Sequence, residues 1–309
     1  MGRKRKSIVH VSCFSSKIDE MSEIGQESTF EKAKRQDQES RKSFDGVKTI
    51  GVKVSLSQDK SLKSLYYPGK GGLILDIHGG GFCFKSVLDN DVYCSYLNKL
   101  TGYTVLNLDF TSSYIAPYPR QRDDILVETS SFYSSHPEMM GLPLTIVGHS
   151  SGGNLAASLT IDFPYPISAL LLNYPFLDLA KDSANRPVIE NAFPDFLLND
   201  WINMYAPDKT KRTNPLVSPL YIGKDEAKFF PPTCITIAKN CRLQEDGRAF
   251  FDLLQNAKVP SKLFEIDDRH GFIERNMRNL FTSPDDEEVK KAKFVSDECF
   301  TWLSNNLRK

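Results

Sequence analysis

The stretch from Leu144 to Leu159 restricts what this chain can fold into more than any other. A short apolar run, Leu144-Thr145-Ile146-Val147, reads as a buried strand, and Asn154 to Leu159 reads as a helix. Between them stands Gly148-His149-Ser150-Ser151-Gly152-Gly153. A strand that passes straight into a helix through G-x-S-x-G must turn sharply and lift its serine out of the surrounding packing. Gly148 and Gly152 lie two residues either side because a Cβ at those points would collide with neighbouring chain. Ser150 Oγ is therefore predicted to stand at a helix N-terminus. There the helix dipole and the Ser151 backbone N–H face any negative charge that develops on a carbonyl oxygen.

A second motif begins seventy-two residues before Ser150: His78-Gly79-Gly80-Gly81-Phe82, directly after the apolar strand Leu73-Ile74-Leu75. Glycines at the end of a strand leave backbone N–H groups bare. Gly79 and Gly80 thus join Ser151 as candidate donors of an oxyanion hole. Of the five histidines, His270 sits where a base belongs, downstream of the serine in the loop after the strand Lys262 to Ile266. His78 is expected to brace its own glycine loop by hydrogen bonding, and His149 to fill the variable position of the elbow. His10 falls in a polar tail and His136 in a loop at a helix end.

With these motifs in this order, the chain resembles the hormone-sensitive-lipase-like group of α/β-hydrolases, which includes many carboxylesterases and acetyl esterases. The resemblance runs from about residue 50 to about residue 305. It also takes in Asp109-Phe110 followed by Pro119 and Asp124, Ser218-Pro219-Leu220, Pro231-Pro232-Thr233 and His270-Gly271-Phe272. The last is where the group keeps its catalytic histidine. The resemblance implies a serine hydrolase with Ser150 as nucleophile and His270 as base.

The third triad member departs from the group. Relatives open a segment similar to Asp-Pro-Leu-Arg-Asp-Glu-Gly with the catalytic aspartate; here the segment is Cys241-Arg242-Leu243-Gln244-Glu245-Asp246-Gly247, which puts Cys241 at the acid position. The acid holds the histidine in the correct tautomer, and its neutralisation in a serine protease costs roughly 10⁴ in turnover. A thiol with an ordinary pKa of about 8.5 is a poor replacement near neutrality. Glu245, one helical turn on, is the first candidate for a substitute acid. Asp178, after the preceding strand, and Asp267 and Asp268, beside His270, are the others. Each also has a structural reading, as a residue of a helix first turn or of a loop turn.

Composition narrows the class. Thirty-nine basic and thirty-nine acidic residues cancel, so no global field draws nucleic acid. Six cysteines without Cys-x-x-Cys spacing favour neither a zinc site nor a disulfide framework. A reducing, cytoplasmic setting is the simpler expectation, with no metal and no cofactor. No run of eighteen apolar residues offers a membrane span. Gly2-Arg3-Lys4-Arg5-Lys6 is basic, without the Ser or Thr that a myristoylation pattern needs at the sixth position and without the apolar run of a secretory signal.

Two regions follow. Residues 1–45 form a polar segment, a tail or part of a cap. Residues 46–309 alternate strands and helices as a single α/β-hydrolase domain, a doubly wound and mostly parallel sheet. Ile50 to Leu56 reads as an edge strand. Leu73 to Ile77, Tyr103 to Leu108, Leu144 to Val147, Ile167 to Leu172, Thr233 to Ala238 and Lys262 to Ile266 read as strands buried on both faces. Between about 180 and 215 the alternation breaks, and Phe193, Phe196, Leu197, Leu198, Trp201, Ile202, Met204 and Tyr205 form an apolar helix. If this insertion is a cap, the substrate is a small uncharged ester. An arylformamidase-type amide hydrolase, suggested by the Gly-His-Ser elbow, is the nearest alternative. The same acyl-enzyme could also pass its acyl group to an alcohol. A degenerate hydrolase that binds a ligand, as the plant gibberellin receptor of this group does, is the competing class.

Overall fold

The computed structural model describes residues 27–307 apart from 58, 59, 85 and 191. The basic run at residues 3–6 and His10 lie outside the described residues. Among the described residues, eight strands form one sheet: β1 (Val52–Val54), β2 (Ser64–Tyr67), β3 (Leu73–Ile77), β4 (Thr104–Leu108), β5 (Leu144–His149), β6 (Ala169–Asn173), β7 (Thr233–Asn240) and β8 (Ser261–Arg269). Their order is β1-β2-β4-β3-β5-β6-β7-β8. The β1–β2 and β2–β4 pairs are antiparallel, and every later pair is parallel. All residues of β3, β4, β5 and β6 are buried, the condition under which a strand reads as an unbroken apolar run. The edge is less legible. β1 is shorter than the expected Ile50 to Leu56, and Ser64-Leu65-Tyr66-Tyr67 becomes a strand through pairing on both sides, not through its own pattern.

The helices are α1 (Thr29–Phe44), α2 (Asp91–Thr101), α3 (Arg120–Ser135), α4 (Ser151–Asp162), α5 (Asp195–Tyr205), α6 (Lys224–Ala227), α7 (Gln244–Asn256), α8 (Phe272–Met277) and α9 (Glu287–Asn306). No described helix is long and apolar enough to cross a membrane. The five described cysteines are buried and form no disulfide. His136 caps the C-terminus of α3 and stacks on Phe132.

Helix α1 occupies the second part of the polar segment that ends at residue 45. Its apolar stripe is thin, with Thr29, Ala33 and Phe44 buried, so periodicity alone does not disclose it. Polar contacts hold it instead. Ser28 Oγ accepts the Glu31 N–H at the N-cap, and the Arg41 guanidinium bridges Asp37 at 2.9 Å and Asp109 at 3.2 Å. At its start, Thr29 Oγ1 donates to Asp200 on α5, while the Phe30 ring meets Tyr114 edge-on.

Helix α5 falls inside the expected insertion, its buried face made of Leu197, Leu198, Trp201, Ile202 and Tyr205. The segment leading to it is moored by an ion pair with both partners fully enclosed: Arg186 Nη1 lies 2.7 Å from Asp246 Oδ1 on α7. Asp246 Oδ2 also accepts the Leu177 and Asp178 N–H groups, and Arg186 donates to the Asp178 carbonyl. Asp246 is thus no ordinary first-turn helix residue. It fastens the chain after β6 and the insertion to α7. Replacing Arg186 by Met strands a buried carboxylate, so urea denaturation is expected to show a loss of about 3–5 kcal/mol. Most of that loss should return in the Arg186→Met/Asp246→Leu double variant, in which neither charge remains.

Candidate active site

The elbow forms as the glycine spacing requires. Ser150 has φ +56° and ψ −116°, a conformation costly for a residue with a side chain, and it is held from both sides. Its N–H donates to the Asn173 carbonyl at 2.9 Å, and its carbonyl accepts the Phe176 N–H at 3.0 Å. A Cβ on Gly148 would overlap the Gly152 carbonyl, and one on Gly152 would overlap the carbonyls of Ile77 and His78. The turn therefore wedges the start of α4 against the end of β3.

That wedge brings the glycine loop to the serine. Gly79 lies so close that a Cβ there would come 3.2 Å from Ser150 Cβ. His78 braces the loop: its Nδ1–H donates to the Gly79 carbonyl at 2.8 Å, and its ring stacks on Phe110 at 4.4 Å. Gly80 and Gly81 both have positive φ, at +114° and +62°. Gly81 is covered by the Trp201 indole, with no room for a Cβ. Ser151 is the first residue of α4, directly after Ser150, and Gly79 is the glycine of the loop that approaches the serine.

His270 Nε2 lies 2.8 Å from Ser150 Oγ. On the far side of the ring, Nδ1 lies 3.1 Å from Cys241 Sγ, which also accepts the Leu243 N–H at 3.3 Å. Burial pushes the Cys241 thiol up to about 12, so it is protonated at neutral pH. The candidate acids are engaged elsewhere. Glu245 Oε2 pairs with Lys181 at 2.6 Å on the surface. Asp178 Oδ1 accepts the Ala180 and Lys181 N–H groups, and Asp267 accepts from Asn240 Nδ2. Asp268 pairs with Arg275 and Lys291. Glu245 is corrected accordingly: at the start of α7 its longer side chain turns to a lysine, and the thiol takes the position against Nδ1.

One cluster had no counterpart in the sequence reading. His149, completely buried, places Nε2 3.0 Å from Asp76 Oδ1 and Nδ1 3.4 Å from Glu274 Oε2. Burial opposes its charge, but the two carboxylates outweigh burial and raise its pKa to about 9. The signal for it was Asp76 itself. A carboxylate in the middle of Leu-Ile-Leu-Asp-Ile, a strand buried on both faces, requires a partner.

A family model of the α/β hydrolase fold matches residues 74–274, and the chain belongs to that family, in its hormone-sensitive-lipase-like group. An arylesterase from Saccharolobus solfataricus is 26% identical over 239 residues, 73% of this chain and 77% of the relative. An acetyl esterase from Salmonella typhi is 27% identical over 257 residues, 79% and 75% of the two chains. Among solved structures, a thermostable esterase from Pseudomonas putida superposes with TM-score 0.72 at 19% identity, covering 96% of each chain. Carboxyl esterase 2 from Tuber melanosporum superposes with TM-score 0.68 at 20% identity, covering 84% of this chain and 88% of the other.

The His149 cluster makes stability depend on pH. Its folded pKa of about 9 lies above the ordinary 6.5, so its contribution is complete below about pH 6.5 and disappears as pH rises through about 9. The shift corresponds to roughly 3 kcal/mol. Melting temperatures from pH 6 to 10 should show this decline in the native protein, and His149→Gln should remove it. Equal slopes in the two proteins would mean that His149 is not charged in the folded state.

Proposed function

We propose that this protein is a carboxylic ester hydrolase that works through an acyl-enzyme on Ser150. The observation that carries the reading is the 2.8 Å contact between Ser150 Oγ and His270 Nε2 beside the glycine loop. Relatives named arylesterase and acetyl esterase support the same class. His270 takes the Ser150 proton as Oγ attacks the ester carbonyl carbon. The carbonyl oxygen becomes an oxyanion and is held by the Gly79, Gly80 and Ser151 N–H groups. His270 then gives the proton to the leaving alcohol. Water, deprotonated by the same imidazole, attacks the acyl-enzyme and releases the acid and Ser150.

Cys241 sets the rate. A carboxylate at Nδ1 can only accept, so it fixes the tautomer with hydrogen on Nδ1 and leaves Nε2 basic. A neutral thiol both donates and accepts. When S–H donates to Nδ1, the ring hydrogen sits on Nε2 and no base faces the serine. Nor does a neutral group stabilise the imidazolium. The enzyme is accordingly slow toward simple esters, with catalysis resting mainly on the oxyanion donors and binding.

Helices α1 and α5 act as a cap. Trp201 covers Gly81, Phe193 meets the His270 ring at 5.1 Å, and Tyr205 stacks on Phe82 at 3.8 Å. This aromatic enclosure fits a small, uncharged acyl group. The thiol at Nδ1 also favours a second reading, a ligand-binding protein with a vestigial site. In that case Ser150→Ala would leave ligand binding intact and no ester would turn over.

Hydrolysis of p-nitrophenyl acetate and butyrate tests both. Ser150→Ala is expected to abolish turnover. Cys241→Asp is expected to raise kcat by on the order of 10² or more. A fall in kcat with Cys241→Asp would show that the thiol is itself the adapted third member.

A further inference from the structure

The His270 imidazole meets two aromatic rings. Phe193, from the inserted segment, lies at 5.1 Å and 90°, and Tyr174, from the end of β6, at 4.9 Å and 65°. Tyr174 is the more firmly built in. It is buried directly after β6 with φ +39°, an unfavourable conformation for an aromatic residue that its surroundings must hold. Its hydroxyl donates to Glu274 Oε2. Glu274 stands four residues after His270 on α8, and its Oε1 lies over Gly271, 3.3 Å from where a Cβ would be. The same carboxylate meets His149 Nδ1, and His149 Nε2 meets Asp76, whose other oxygen accepts from Asn90 Nδ2 at 2.7 Å.

Side chains from β3, β5, the end of β6 and α8 thus form one buried unit that terminates on the catalytic imidazole. All four are at most 2% exposed in their side chains or as whole residues. A thiol at Nδ1 exerts little directional pull on that ring, so its plane must be fixed by other means. We propose that Tyr174, anchored through Glu274 to His149 and Asp76, is a positioning residue that sets the His270 ring against Ser150, a task a carboxylate at Nδ1 performs elsewhere. The proposal rests on reading Ser150 and His270 as nucleophile and base.

Saturable labelling of Ser150 by a fluorophosphonate, and ¹⁵N NMR of the His270 ring, are to be measured in the native protein, Tyr174→Phe, Cys241→Asp and the Tyr174→Phe/Cys241→Asp double variant. Tyr174→Phe keeps the ring and loses the anchor. The maximal labelling rate is expected to fall about tenfold with the half-saturating concentration unchanged, because orientation and not binding is lost. In the Cys241→Asp background the same change should cost less than about twofold, since the carboxylate then orients the ring. A merely structural tyrosine would cost the same in both backgrounds, and that result overturns the proposal. The ring signals decide independently of reactivity: Tyr174→Phe should shift and broaden the His270 ring signals as the fixed orientation against Ser150 is lost, and unchanged signals overturn the proposal. Absence of labelling in the native protein, with ring signals that still respond to Tyr174, would refute the nucleophile reading and leave the ring-holding role standing.

Discussion

The contact between Gly152 and the carbonyls of Ile77 and His78 is the constraint on which the site depends. It presses the start of α4 against the end of β3 and joins two motifs that are far apart in sequence. Ser150 is forced into its unfavourable backbone angles by this approach, and Gly79 is delivered beside it. Backbone packed this closely leaves no room for a Cβ at Gly148 or Gly152, so the proposed donors around Ser150 would be in place before a substrate binds. That is the condition under which N–H dipoles stabilise a developing charge without reorganisation.

Around this rigid corner the charged groups are arranged unusually. The negative charge is absent from Cys241 at the edge of the imidazole and is concentrated one layer deeper, in Asp76 and Glu274 about His149. These carboxylates lie on the far side of the elbow residue, tied to the site through Tyr174. A buried ion cluster is weak support for stability, because desolvation offsets much of its attraction. Its better-attested use is to enforce one arrangement, and here that arrangement includes the ring of His270.

The sheet and the sharp turn at Ser150 were legible because each depends on a local pattern. Leu73 to Ile77, Leu144 to Val147 and their parallel neighbours are apolar on both faces, and the elbow needs its glycines at fixed offsets. Helix α1 was not legible, since Ala33 and Phe44 make too narrow a stripe and Arg41 finds Asp109 only in three dimensions. The group against His270 Nδ1 was half legible. Cys241 was placed by its spacing from Leu243 and Gly247, but the search for a nearby carboxylate led to Glu245, whose direction is set by Lys181 on another segment.

By itself the sequence determined the strand order's raw material, the serine at a sharp turn, the glycine loop before it and the histidine after it. The turn and the glycine loop follow from sterics within a few residues, and the histidine from its place in the chain order after the serine. That Glu245 turns away from His270, which carboxylates surround His149, and how α1 meets α5 were decided only by tertiary structure. Those relations join residues tens to more than a hundred positions apart, and a side chain's partner at such a distance depends on packing that no local pattern records.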